Sequence, residues 1–194
     1  MIFGIIILAI VVILIFVFIG IYNGLVGARN GVKNAWAQID VQLKRRHDLI
    51  PNLVETVKGY MEHERGTLEA VTSARNLAQS MSNAGPADRA KAEGDLGSAL
   101  SRLLAVVENY PNLKANENFL ALQEELTSTE NKISFSRQFY NDIVLKYNNM
   151  IQMFPSNVIA GMGGFQPSEF FEVKATEERE APKVSFSAPP KTGS

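Results

Sequence analysis

Cysteine is absent from the 194 residues. That excludes disulfides, iron–sulfur clusters, thiolate zinc sites, a cysteine nucleophile and a lipidated cysteine anchor. Histidine is nearly absent as well. Only His47 and His63 occur, which argues against a multi-histidine metal centre. An excess of one charge sign is also lacking: 19 Lys+Arg stand against 20 Asp+Glu, for a net charge of -1. Such a balance creates no field for nucleic acid or for a wholly acidic partner. The most informative absence is local. No charged side chain occurs before Arg29, whereas charges are frequent from there onward.

What fills the uncharged stretch is apolar. Ile2 to Ile21 is an unbroken hydrophobic run apart from Gly4 and Gly20. A run of about 20 residues spans a hydrocarbon core of roughly 30 Å at helical rise. A cleaved signal peptide would need a basic leader, a shorter apolar stretch and a small-x-small cleavage site. Only Met1 precedes the run, the run is too long, and Gly27 and Ala28 offer only a poor cleavage site, while Tyr22 follows the run where an interfacial aromatic belongs. Residues 1–22 are therefore read as an uncleaved transmembrane anchor with the lipid bilayer as partner. Basic residues follow the span, beginning with Arg29 and Lys33, and only Met1 precedes it. The positive-inside rule then puts the body in the cytoplasm.

The body, 23–172, reads as an elongated antiparallel bundle of long helices. Val32, Trp36, Ile39, Leu43, Ile50, Val54, Val57, Met61, Leu68 and Val71 recur at helical spacing. They predict one continuous helix from Tyr22 to about Met81, kinked near Pro51. Asn83, Gly85 and Pro86 mark a turn. A second helix runs from Pro86 to about Asn109, with Leu96, Leu100, Leu103, Leu104 and Val107 on one face. The third starts near Asn116, a good cap, and ends at Phe154. Its stripe is Phe119, Leu122, Leu126, Ile133, Tyr140, Ile143, Tyr147, Met150 and Phe154. Thr129 and Ser136 interrupt that heptad-like pattern. Trp36, Leu43, Ile133, Tyr140 and Tyr147 are expected to be buried between the first and third helices. Ser156 to Phe171 reads as a short hook, and 173–194 as a disordered tail. The fold class is all-α, with a body too narrow to enclose a large pocket.

Catalytic patterns fail one by one. A di-metal bundle needs Glu-x-x-His pairs, and neither histidine has a glutamate three residues before it. His63-Glu64-Arg65-Gly66-Thr67 lacks the second histidine of a zinc protease. No phosphate loop and no serine elbow occurs. The chain is read as a non-enzyme with no cofactor, no metal and no small-molecule substrate.

Three features are candidates for interaction. Gly20, Gly24 and Ala28, and separately Gly27, Gly31 and Ala35, form small-residue rows that let helix backbones approach closely. They suggest self-association into a homo-oligomer. Lys44, Arg45 and Arg46, with His47, form a basic cluster. It lies roughly 30 Å beyond the span, several Debye lengths away, which weakens lipid contact. Pairing with Glu124, Glu125 and Glu130 of the third helix is preferred over a partner's surface. Phe165, Phe170 and Phe171 of the hook are either a clasp docked on the bundle or an exposed contact site.

Longer motifs carry a resemblance. Tyr22-Asn23 through Arg29-Asn30, Ala35-Trp36, and Val41-Gln42-Leu43-Lys44-Arg45-Arg46-His47-Asp48-Leu49-Ile50-Pro51-Asn52-Leu53 resemble the LemA family signature. So do Tyr110-Pro111, Leu113-Lys114, Thr129-Glu130-Asn131, Tyr140-Asn141, Tyr147-Asn148, Phe154-Pro155, Gly164-Phe165 and Phe170-Phe171-Glu172. The resemblance implies a bacterial single-pass membrane protein with an all-α body and no established enzymatic activity. It implies roles in the cell envelope and in membrane organisation, including a relative in magnetosome membranes. Family genes often lie beside a zinc membrane protease, so an adaptor or regulator of such a protease is the alternative to a self-associating scaffold.

Orientation is directly testable. Protease added to spheroplasts should leave the body intact. Digestion of the body from outside would reverse the topology.

Overall fold

The computed structural model describes residues 2–61 and 63–172. Among the described residues it contains helices and no strand. The expected tail, 173–194, lies outside them.

Helix α1 runs from Ile2 to Lys58, 57 residues without interruption. Its first part is bare apolar surface, with every side chain from Ile2 to Ile19 exposed. It is the one helix among the described residues long and apolar enough to cross a membrane. The same helix then becomes the spine of the body, so the boundary expected at residue 22 falls inside a continuous helix.

Pro51 sits within α1. Proline has no N–H, so the carbonyl four residues back, that of His47, loses its helical donor. Arg75 replaces it: its Nε donates to the His47 carbonyl at 3.1 Å. The helix therefore passes through Pro51 and stops later, at Gly59. The single helix expected to reach Met81 is two helices. Glycine weakens helix propagation, and fully buried Met61 turns into the core where the chain reverses. Helix α2 (Arg65–Ser80) returns from that corner, followed by a 3-10 turn at Met81–Asn83.

Helix α3 (Pro86–Val107) opens with proline at its first position, where the missing N–H costs nothing. A one-turn α4 (Pro111–Lys114) follows. Helix α5 (Glu117–Gln152) begins at Asn116, whose side chain accepts from the Phe119 N–H at 3.0 Å. It runs antiparallel to α1. A side chain at Gly24 would meet Met150 at 3.9 Å, and one at Gly31 would meet Ile143 at 3.7 Å. That register carries α5 back to the end of the apolar span.

The hook is more ordered than expected. It contains α6 (Ser156–Met162) and then an extended strap to Phe171. Gly164 adopts φ +65°, the left-handed conformation that closes a helix. The Phe165 N–H donates to the Ala160 carbonyl at 3.0 Å, completing the cap. A side chain at Gly163 would come within 2.7 Å of the Phe165 ring, so glycine lets that ring fold back.

The core divides into two apolar clusters. The membrane-proximal one joins Leu25, Ile39 and Leu43 of α1 to Ile133, Tyr140 and Tyr147 of α5 and to Phe165 and Phe171. The distal one joins Ile50, Leu53 and Val57 to Leu68 and Val71 of α2, Leu96 and Leu103 of α3, and Phe119 and Leu126 of α5. Of the five side chains expected between α1 and α5, four are buried. Trp36 is half-buried and packs on the edge of the proximal cluster.

Candidate functional site

Charged side chains occupy the level between the two clusters. Arg46 lies on α1 between Leu43 and Ile50 and is 2% exposed. It pairs with buried Glu93 of α3 and with Glu130 of α5, the latter at 2.7 Å. His47 Nε2 stands 3.0 Å and 3.3 Å from the two Glu93 carboxylate oxygens. One turn before Glu93, buried Arg89 pairs with Asp40 of α1 and donates to the Ser82 carbonyl at 3.2 Å. Thr129, the first polar interruption of the α5 stripe, is fully buried one residue before Glu130.

The basic cluster is thus largely an internal tie. Arg45 pairs with Glu125 and Arg46 with Glu130, two of the three acids expected from α5. Glu124 and exposed Lys44 make no ion pair among the described residues. Arg45–Glu125 is exposed and contributes little. Glu93 and Arg89 were not expected. Their signal is present, however: residues 89 and 93 continue the α3 stripe of Leu96, Leu100, Leu103 and Val107 toward its N-terminus. Two charges on a core-facing stripe call for buried partners.

A second tie runs along the strap. Tyr140 and Tyr147 lie seven residues apart on α5, each followed by asparagine. The Tyr140 hydroxyl donates to the Glu169 carbonyl at 2.8 Å, and that of Tyr147 to the Gln166 carbonyl at 2.9 Å. Asn148 accepts from the Ser168 N–H and donates to its carbonyl, both at 2.9 Å. Asn141 accepts from the Phe171 N–H at 2.9 Å and donates to its carbonyl at 3.5 Å. Each asparagine side chain copies the edge of a strand and satisfies an otherwise unpaired backbone. Burial pushes the Tyr140 phenol up to about 12, with the Glu169 carboxylate adding to it. Burial also raises the Tyr147 phenol, partly offset by Arg29. Both hydroxyls therefore stay protonated and donating at neutral pH.

The hook aromatics divide between the two readings. Phe165 and Phe171 are buried. The Phe165 ring meets Tyr22 edge-on at 5.7 Å and carries the Arg29 guanidinium at 5.0 Å. Phe171 packs against Trp36 at 5.6 Å, and Arg89 of the charged layer stands over Trp36 at 5.3 Å. The strap therefore connects the membrane exit to the charged layer. Phe170 stays on the surface. The glycine rows divide too. Gly24 and Gly31 face α5 of their own chain, while Gly20 and Gly27 have open space beside them.

The LemA family profile matches residues 35–186, covering the charged layer and the strap. The chain belongs to the LemA family. It is similar to the magnetosome protein MamQ 2 of Paramagnetospirillum magneticum, 25% identical over 177 residues. That match covers 79% of this chain and 65% of the relative. It is similar also to Protein LemA of Metamycoplasma hominis, 27% identical over 145 residues, covering 75% and 66%. Magnetosome protein MamQ of Magnetospirillum gryphiswaldense is 24% identical over 177 residues, covering 79% and 65%. The chain thus spans just under two thirds of the length of these relatives. With its apolar helix, it is a membrane-associated helical protein.

In this LemA-family chain an open cleft of about 720 Å³ lies beside the layer, reached by Glu93, Glu130, Arg137 and Phe171. It lies where α3 leans on α2 and leaves a gap toward α5, and it is open to solvent rather than enclosed. Glu93 is its inward carboxylate. Burial pushes that carboxyl up, but the His47 hydrogen bond and the Arg46 guanidinium outweigh it and hold it below the ordinary value. A general acid or base near neutral pH needs the opposite displacement. Glu93 is a structural anion.

Glu93→Ala leaves the Arg46 charge buried and short of a partner. The expected loss is about 3–5 kcal/mol, read from the unfolding midpoint in detergent. Because the folded Glu93 pKa lies below the unfolded one, its stabilisation is complete above an unfolded value of about 4.3 and fades as pH falls through the folded value. Glu93→Gln should remove that part of the acid dependence. An unchanged midpoint in Glu93→Ala would deny the layer a role in stability.

Proposed function

We propose that the protein is a non-catalytic, single-pass membrane scaffold. It holds a rigid helical body at a fixed attitude to a bacterial membrane, on the cytoplasmic side, and self-associates to organise that membrane. The observation that carries this reading is α1, which passes from apolar span to body core as one helix of 57 residues. From Tyr22 to Lys58 it extends about 55 Å. The strap braces it at the membrane exit through Phe165 and higher up through Phe171. A braced, hingeless spine suits display of a distal surface at constant height. The resemblance to magnetosome proteins and to Protein LemA supports a role in membrane organisation. The engagement of Glu93 by Arg46 and His47 supports a non-catalytic body.

Self-association is assigned to the face of Gly20 and Gly27, which share one side of α1 and have no atom near. Close backbone approach is what such positions permit. Gly20→Leu with Gly27→Leu should still insert, yet shift the protein to smaller species in native nanodiscs. Gly24→Leu with Gly31→Leu would instead press on Met150 and Ile143 of the same chain. If wild type and the Gly20/Gly27 variant are both monomeric across concentrations, self-association fails. Retention of a zinc membrane protease by the monomer would then favour the adaptor role.

A further inference from the structure

Helix α6 is apolar on both sides. Ile159 and Ala160 are buried against the body. Val158 and Met162, one turn apart on the outer face, are exposed. Next to them the α5–α6 corner presents Met153 and Phe154. Phe154 is 82% exposed and Met162 75%, as bare as Phe3 and Phe16 in the span, at 82% and 70%. From Val158 to Met162 this helix carries no polar side chain, so it turns apolar groups outward as well as inward. An exposed apolar cluster of this kind marks a contact surface.

The α1–α5 register fixes its height. Gly24 opposes Met150 and Gly31 opposes Ile143, so each step out along α1 is a step back along α5. Extending that register places Met153 level with Ile21 and Phe154 level with Gly20. Both lie at the end of the apolar span, where Phe18 stacks on Tyr22 at 6.4 Å. The sequence agrees independently. Tyr147 through Ser168 carries no charged side chain, as Ile2 through Ala28 carries none. Along the two long helices the first charges beyond this shared zone are cations, Arg29 and Lys33 on α1 and Lys146 on α5, while the strap reaches its first charge, Glu169, only at the level of Tyr140. A charge-free apolar base rimmed by cations matches the boundary between acyl chains and anionic headgroups.

We propose that Met153, Phe154, Val158 and Met162 form a wedge that inserts into the interfacial zone of the bilayer beside the span. The body then stands on two membrane contacts, the span and the wedge. This rests on the reading of Ile2–Ile21 as a membrane span, and the experiment separates the two. The chain has no cysteine, so single nitroxides are clean reporters. Val12→Cys, Phe154→Cys, Met162→Cys and Phe135→Cys variants of the full chain are labelled and reconstituted into phosphatidylcholine–phosphatidylglycerol vesicles. Power saturation with oxygen and with nickel(II) ethylenediaminediacetate reads their depth. Labels at 154 and 162 should favour oxygen, as at 12, while that at exposed Phe135 favours nickel. If 154 and 162 behave like 135 while 12 stays lipidic, the wedge is overturned and the span stands. If 12 is aqueous as well, the span reading falls with it. Low access to both reagents at 154 and 162, with dipolar broadening between labels, would mean that a second copy covers the face, and would also overturn the wedge.

Discussion

One helix has to satisfy two solvents. Along its first third, α1 has the unrelieved apolar surface that suits lipid; beyond Gly24 it offers a protein core one stripe and water the remainder. Its backbone hydrogen bonds run on without a linker, so the body cannot choose its attitude independently of the span. The rest of the architecture follows from that constraint. Helix α5 returns antiparallel along the same stripe, and the strap climbs from the membrane exit to Trp36. Even Pro51, which should weaken the spine, is accommodated because Arg75 supplies the donor missing at His47.

The charged layer addresses a different problem. Two helical hairpins could slide along each other if the core between them were uniformly apolar. Arg46 with Glu93 and Glu130, and Arg89 with Asp40, permit one register among α1, α3 and α5. Buried ion pairs are costly to desolvate and are poor sources of net stability. Fixing register is the best-attested use of such groups. His47 and Arg46 together also hold the Glu93 carboxyl below its ordinary value. Through Trp36, the layer touches the strap, so register and attitude are set by one connected set of side chains.

Features governed by local pattern were legible in the sequence. The apolar span, the α5 stripe, the Asn116 cap and Pro86 as a helix start each depend on neighbours a few residues away. Features that depend on distant partners mostly were not, the pairing of Arg45 and Arg46 with acids of α5 excepted. Glu93 became necessary only when α3 met Arg46, although its place on the Leu96 face hinted at burial. Tyr140-Asn141 and Tyr147-Asn148 looked like stripe members with polar neighbours. Their second role, clamping an extended backbone, required the strap to return. The glycine rows read as one intermolecular surface because the sequence does not show that α5 fills half of it. The break at Gly59 is masked in the sequence by Pro51, the stronger breaker, whose rescue by Arg75 is a tertiary contact.

The central claim is that span and body are one rigid unit. Nitroxides on Val12→Cys/Asp48→Cys in the full chain, reconstituted as dilute nanodiscs, report on it by double electron–electron resonance. A continuous helix places those positions about 54 Å apart along its axis, and the expected result is a single narrow distribution near that separation. A broad distribution reaching to much shorter distances would place a hinge at the membrane exit and contradict the account.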